Sequence, residues 1–453
     1  MEKQSLLEIF SQTNEYRKMV PKQRVQLQKK RLYDLVMYAK DKSPLYAGHY
    51  LGLKDNFTLR DIPTIDKAII KEHYDDWATD IDINLDSIND YLANKTDDNS
   101  LYLDKYHVVS GSGTEGDPLI NLFDSNYGKI ASAQYVFRCF ARREHFWSFL
   151  VKGQRVANIY TENGSFFFNE FVNMRKRYLP FRRNKSLMLQ AQSSSESLVE
   201  ALNEFNPTML AGFPSVLSRM ADEKMAGRLK INPVFIMADG EPLELETRKK
   251  LEQAFNCDVT SSYSTAITGV IAYECREHHL HINDDWILLE AVDIEGNPVK
   301  AGKESDKVLV TNLLSYTQPV IRYELLDRIT IHKKPCLCGN HSPWIEIAGR
   351  SMDTLRVTAG GREVIMPISD IDAVLKGVDY LSSYQIIIYP NTHLALRLTG
   401  AEGIDKTMAF FKAEKELRAY LKSIGIVAPM ITLDKEDPMP HPLSGKYQTV
   451  IVE

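Results

Sequence analysis

The sequence predicts an α/β protein in two parts, a large layered N-terminal domain over residues 1–348 and a small α+β C-terminal domain over 349–453. Three patterns carry that prediction. Residues 1–100 read as a largely helical lead-in, because "RVQLQKKRLYDLVMYAKD" sets apolar residues at helical spacing beneath a basic outer face. From about 105 to 345, short β-rich apolar runs ("RVANIY", "PTMLAG", "PVFIMAD", "KVLVTNLL") alternate with helical stretches such as "SSESLVEALNEF" and "LETRKKLEQAF", as layered α/β domains do. The last hundred residues change character. There "SYQIIIYP" and "HLALRLTG" alternate like a strand pair, and "KTMAFFKAEKELRAYLKSIG" reads as an amphipathic helix without a capping residue, ended by Gly425. The junction falls near "GRSMDTLRV", Gly349 to Val357, a charged segment between the two patterns.

Composition excludes several function classes. The 453 residues are 44% hydrophobic, ample for sizeable cores, and the 55 basic and 60 acidic residues are interspersed to a net charge of -5, so no nucleic-acid footprint is visible. The start "MEKQSLLEIF" lacks the apolar core and small-residue cleavage site of a signal peptide, and no apolar run approaches the ~18 residues of a membrane span. A cytoplasmic location is expected. Five cysteines in a chain this long do not make a disulfide framework, so they are core residues, reactive thiols or metal ligands.

The stretch "VVSGSGTEGDPLI", Val108 to Ile120, has the look of a phosphate-binding loop. Gly111, Gly113 and Gly116 satisfy G-x-G-x-x-G after an apolar "YHVV" that reads as a strand. A dinucleotide fold, however, needs a helix to open on the third glycine, and here Asp117-Pro118 follow, with no acid about 20 residues on. A P-loop also fails, since Asp117 stands where the lysine should meet phosphate. What remains is a Ser/Gly/Thr loop whose amides and hydroxyls can wrap phosphate oxygens, or else a plain tight turn between strands.

Four further segments join this loop in order along the chain: "ADGEPLELETRKKLEQAFNCDVTSSYS", "LVTNLLSYTQPVIRYELLDR", "GRSMD" and "HPLSGKYQTV". Together they resemble the phenylacetate-CoA ligase branch of the adenylate-forming (AMP-binding) enzymes, from about "IPTIDKAIIKEHYDDWATD" to the end. The resemblance implies an ATP-dependent ligase of two domains. A large AMP-binding domain and a small mobile domain would join a carboxylic acid, aryl or acyl, to ATP as acyl-AMP. The acyl group would then pass to coenzyme A or an acyl carrier protein, and the resemblance allows a homodimer. It implies that Ser110, Ser112, Gly113, Thr114 and Gly116 hold the triphosphate, that Gly240, Glu241 and Pro242 form the turn flanking adenine, and that Tyr263 stacks on the adenine face. Asp327 would take the ribose hydroxyls, Arg350 would add a donor to the nucleotide, and Asp353 would be the hinge. Lys446 would swing onto the carboxylate and α-phosphate and stabilise charge in the adenylation transition state. From the residues alone, Tyr263 equally suits an ordinary core position, and Lys446 a mobile surface site. The aromatic run "SFFFNEF" suits either an acid pocket or plain core.

The sequence departs from the family pattern around the phosphates. Ile267 in "YSTAITG" stands where the family has a glutamate that helps to hold magnesium, Glu115 and Asp117 add negative charge to the loop, and Leu326 replaces a glycine before Asp327. These changes leave two other readings open: a ligase that passes the acyl group to an amine or hydroxyl, and a degenerate nucleotide-binding homologue without turnover.

A second constellation lies in "AYECREHHLHIN" and "KKPCLCGNHSP". Cys275, His281, Cys336 and Cys338 supply four N/S ligands, the set a tetrahedral structural zinc takes, with His278 and His279 as alternates to His281 and free cysteines as the other reading. The family resemblance favours metal. Cys139 and Cys257 sit in apolar surroundings and read as core.

Overall fold

The N-terminal helices form where the sequence supplies both a start signal and an apolar face. Ser5 and Glu8 make a reciprocal capping box on helix Leu6–Lys18, and Pro21 opens helix Pro21–Lys42, which buries Leu32, Leu35, Val36 and Ala39. The structure, a computed structural model, describes residues 5–95, 100–111, 119–160, 167–179, 184–350, 354–359, 362–367, 371, 374–389, 393–426, 429–440, 447 and 449–452. It divides into two units, one ending at Ala348 and one beginning at Gly349, so the boundary falls within strand Trp344–Arg350.

In the large unit, the central sheet has five parallel strands in the order Ser186–Gln190, Val156–Tyr160, Met209–Gly212, Phe235–Ala238 and Asp258–Thr260. Val156–Tyr160, Met209–Gly212 and Phe235–Ala238 are buried along their whole length, which is why they read as unbroken apolar runs. Helices Ser195–Phe205, Pro214–Met225 and Leu245–Phe255 connect the strands and share one core with them, through Leu202, Leu217 and Leu251. Each such fully buried Leu contributes about 1.5–3 kcal/mol.

Two larger antiparallel sheets also belong to this unit. One runs in the order Asp327–His332, Trp344–Arg350, Leu280–Ile282, Gly269–Glu274 and Ser262–Thr265, and the other is Ile287–Val292, Lys307–Asn312 and Val320–Leu325. The helical lead-in is tied to the second of these. Tyr46 Oη and Trp77 Nε1, both buried, donate to the Pro319 carbonyl at 2.8 and 2.7 Å.

The small unit holds hairpin Thr354–Ala359 with Arg362–Pro367 and a four-stranded sheet, Met430–Leu433, His393–Gly400, Leu381–Tyr389 and Val450–Val452. Helix Lys406–Ser423 buries Ala409, Ala413, Leu417 and Leu421, one i,i+4 stripe, in a core with Ile386, Ile388, Leu394 and Leu396. The expectation of a helix without a cap is corrected here. The Asp405 side chain accepts from Thr407 N at 2.8 Å and Met408 N at 3.0 Å, and Asp405 precedes the stretch that sequence reading took as the helix. Among the described residues, no helix is long and apolar enough to cross a membrane.

Candidate active site

The loop that drew attention in the sequence leaves a two-stranded hairpin. Strand His107–Ser110 pairs antiparallel with Ile120–Phe123, Ser110 opposite Ile120, and Gly111 follows. Ser112, Gly113, Thr114 and Gly116, with Glu115 and Asp117, lie outside the described residues, as do Asp353 and Lys446; Arg350 ends strand Trp344–Arg350, and its side chain is likewise outside them.

The strand that carries the loop is anchored by a buried charge network that sequence reading missed. His107 Nδ1 lies 3.0 Å from Glu170 Oε2, His107 Nε2 lies 3.0 Å from Tyr178 Oη, and Lys95 Nζ reaches Glu170 Oε1 at 3.1 Å. Burial works to raise the Glu170 carboxyl, but the hydrogen bond from His107 and the charge of Lys95 outweigh it and hold the group below the ordinary carboxylate range. No local pattern could have revealed it, since Lys95, His107 and Glu170 are 12 and 63 residues apart along the chain.

Gly240 begins the next wall. Its φ is +85°, and a Cβ there would meet Phe168 Cε2 at 2.7 Å and Phe213 Cε1 at 2.8 Å, so both backbone and packing demand glycine. The Glu241 carboxylate accepts from Ser215 N at 2.9 Å and Ser215 Oγ at 3.0 Å, which fastens the turn to the start of helix Pro214–Met225. Pro242 continues the same turn.

Tyr263 and Asp327, 64 residues apart in sequence, meet: Tyr263 Oη donates to Asp327 Oδ2 at 2.6 Å. Burial first, and the Asp327 charge second, push the Tyr263 phenol well above its usual range, so it stays a donor. The ring is 8% exposed, so its environment is that of a core aromatic with one polar edge. Ile267, at the position of the family pattern's glutamate, is buried against the core, and its carbonyl accepts from Asn121 Nδ2 at 2.6 Å.

Between the turn and the central sheet lies a cavity with about 390 Å³ of empty space, open solvent included. Its wall includes Tyr160, Phe168, Arg175, Asp239, Ser262 and Tyr273. Asp239, the residue before Gly240, is buried and accepts from Ser262 N at 2.6 Å. Burial pushes its carboxyl up to about 7 from 3.8. The folded chain then holds a proton that the unfolded chain has released, so the stability from this group is complete below about pH 4 and lost as pH rises through 7. Asp239→Asn keeps the acceptor and cannot ionise. Relative to the parent, it is expected to gain stability between pH 5 and 8, by about 4 kcal/mol at most. Denaturant titrations at the two pH values check it, and a stability difference independent of pH would contradict it.

The four zinc candidates come together. One ligand atom each from Cys275, His281, Cys336 and Cys338 lies within 4.8 Å of every other. Cys275 Sγ and Cys336 Sγ are 3.8 Å apart, and Cys338 Sγ is 3.3 Å from His281 Nε2. His281 Nδ1 lies 2.8 Å from the Ser342 carbonyl, which assigns its proton to that nitrogen and turns the Nε2 lone pair toward the sulfurs. The amides of Cys338 and Asn340 approach Cys336 Sγ and Cys338 Sγ at 3.5 and 3.3 Å, across a turn that Gly339 permits with φ +85°. Of the alternates, His278 is taken by Glu274 at 2.7 Å, while His279 lies against Cys336 Sγ at 3.2 Å and stacks on Trp344. Cys139 is core; Cys257 is only half-buried, at the edge of the same cluster.

No family model matches the chain. Among solved structures, 2-hydroxyisobutyryl-CoA ligase in the postadenylation state, in complex with R3-HIB-AMP, superposes with a TM-score of 0.66 at 18% identity, over 97% of this chain and 91% of that one. The fold is that of the adenylate-forming enzymes. The same ligase in complex with 2-HIB-AMP and CoA gives a TM-score of 0.58 at 19% identity, over 97% and 91% of the two chains. Two relatives match in sequence. Protein CapK of Staphylococcus aureus is 27% identical over 168 residues, 35% of this chain and 36% of that protein. Indoleacetate–lysine synthetase of Pseudomonas savastanoi is 23% identical over 238 residues, 49% of this chain and 55% of that protein. The matched segments thus span about a third and about half of these relatives.

Proposed function

We propose that this protein activates a carboxylic acid with ATP as an acyl-adenylate, releases pyrophosphate, and passes the acyl group to coenzyme A or a carrier thiol, as a phenylacetate-CoA ligase-like enzyme. The observation that carries this reading is the Tyr263–Asp327 hydrogen bond of 2.6 Å, in the fold of enzymes captured with acyl-AMP. Asp327 would accept from the ribose hydroxyls, and Gly240 would let the backbone approach adenine. Ser110 and the Ser112, Gly113, Thr114 and Gly116 amides and hydroxyls would hold the phosphates, and Lys446 would meet charge developing at the α-phosphate. Arg350 and Asp353 would serve the small domain as nucleotide donor and hinge. We propose a cytoplasmic location, a compartment that supplies both ATP and coenzyme A. ATP–pyrophosphate exchange that depends on an added acid tests the proposal, and exchange absent across a broad acid library would overturn it.

Magnesium bound with ATP would neutralise phosphate charge. Ile267 offers no carboxylate for it, and a carboxylate about 4 Å from a phosphate costs about 1–4 kcal/mol unless a cation intervenes. We assign Glu115 to that cation. Glu115→Gln is then expected to weaken magnesium-dependent ATP binding about tenfold; tighter binding would show that Glu115 only repels phosphate.

The Cys275, His281, Cys336 and Cys338 cluster fits a structural zinc. With zinc–sulfur bonds of about 2.3 Å, a tetrahedral site sets its sulfurs about 3.8 Å apart, and Cys275 and Cys336 stand at 3.8 Å. Four protein ligands leave no open position, so the ion would hold structure and take no part in the reaction.

A second reading has a specific observation behind it. The match to indoleacetate–lysine synthetase, whose name joins an acid to an amine, supports an amino group as the acyl acceptor. Single-turnover assays of the acyl-adenylate with coenzyme A against amines separate the two acceptors.

A further inference from the structure

The central sheet reverses its strand order at Val156–Tyr160, which has Ser186–Gln190 on one side and Met209–Gly212 on the other. In open α/β sheets, ligands bind at the carboxyl ends of the strands beside such a reversal. The cavity lies there. Tyr160 ends its strand, Ala211 stands one residue from the end of the next, and Asp239 follows Phe235–Ala238. It also adjoins the proposed nucleotide side, since Asp239 precedes Gly240 and Ser262 precedes Tyr263.

Its walls differ in chemistry. One is aromatic, with the Tyr160 and Phe168 rings stacked at 4.2 Å and Phe167 beside Phe171 at 4.4 Å. The other is polar and short of partners. The Arg175 guanidinium donates to Asn158 Oδ1 at 3.3 Å and lies 4.1 Å from the Tyr135 ring centre, and among the described residues no carboxylate pairs with it. Tyr160 and Tyr273 are 3% and 5% exposed, and among the described residues neither hydroxyl has a hydrogen-bond partner. Buried polar groups are ordinarily satisfied, and orphans facing a cavity are satisfied by what enters it. Hydroxyls and a guanidinium in excess of acceptors suit a ligand that brings acceptor oxygens.

We infer that this cavity receives the acid and selects one that bears a second acceptor oxygen, as hydroxyl, carbonyl or carboxylate, at the end remote from the reacting carboxylate. Arg175, Tyr160 and Tyr273 are the specificity residues. The inference rests on the acid-activating reading, which supplies the carboxylate and its orientation toward the nucleotide. A plain hydrocarbon acid would strand the three polar groups, and sites built to bond a substrate oxygen reject analogues that lack it.

Matched acids test this: benzoate against 4-hydroxybenzoate, and butyrate against 4-hydroxybutyrate and succinate, each in ATP–pyrophosphate exchange and, separately, in calorimetric binding without ATP. The oxygen-bearing member of at least one series should be preferred about 100-fold or more in the unaltered protein, and the hydroxy and dicarboxylic arms tell a neutral oxygen from an anion. Arg175→Leu, and the gentler Tyr273→Phe, should each cut that preference at least tenfold without changing ATP affinity. Equal use of both members, or a preference that survives both substitutions, would overturn the inference. If no acid supports exchange, the activating reading fails, and the calorimetric preference alone decides the pocket: selective binding upholds the recognition assigned to Arg175 and its neighbours, and indifferent binding overturns it.

Discussion

Lys446→Ala is expected to lower acid-dependent ATP–pyrophosphate exchange by about 10²–10³-fold while ATP affinity changes by less than about threefold. The two numbers separate because the lysine's proposed contact is made to charge that develops only during adenylation. An interaction of that kind raises kcat and adds little to ground-state binding. Nucleotide affinity would rest instead on the large unit, on the Ser110 loop, the Gly240 turn and Asp327. Equilibrium binding and exchange measured on the same preparation check it. Parallel losses in both would assign Lys446 to nucleotide binding, and no loss in either would leave it a surface residue.

Removal of the proposed zinc is the second large expected effect. Purified protein is expected to carry one zinc per chain, and a strong chelator or Cys336→Ser is expected to lower the thermal midpoint by about 5–10 °C. The cluster joins the Cys275 turn and strand Leu280–Ile282 to the Cys336–Cys338 turn, so its loss frees segments that are about 60 residues apart along the chain. Exchange at a temperature where the metal-free protein stays folded should fall far less than stability does. Elemental analysis that finds no zinc would contradict the assignment, as would chelation without effect on stability.

The fold was legible where packing leaves a periodic trace. "RVANIY", "PTMLAG" and "PVFIMAD" each became a buried parallel strand, because a strand covered on both faces is apolar without interruption. The helix cap at Asp405 was missed because the reading began at Lys406, one residue too late to see it. At the site, Gly240 was legible through its place in "ADGEPL", yet the physical demand on it comes from Phe168 and Phe213, both distant in sequence. Tyr263 and Asp327 lie in separate motifs, and only the fold shows that they bond. The His107–Glu170–Lys95 network, and the Tyr160 and Tyr273 hydroxyls that have no hydrogen-bond partner among the described residues, had no sequence signature. Their meaning lies in what surrounds them, and a histidine or tyrosine in an apolar run is most often plain core.

The nucleotide product tests the central claim most directly. With ATP labelled at the α-phosphate and an acid that the protein accepts, the account predicts acid-dependent formation of AMP or acyl-AMP together with pyrophosphate, and no ADP. Cleavage to ADP and phosphate, or nucleotide binding with no acid-dependent cleavage at all, would contradict it.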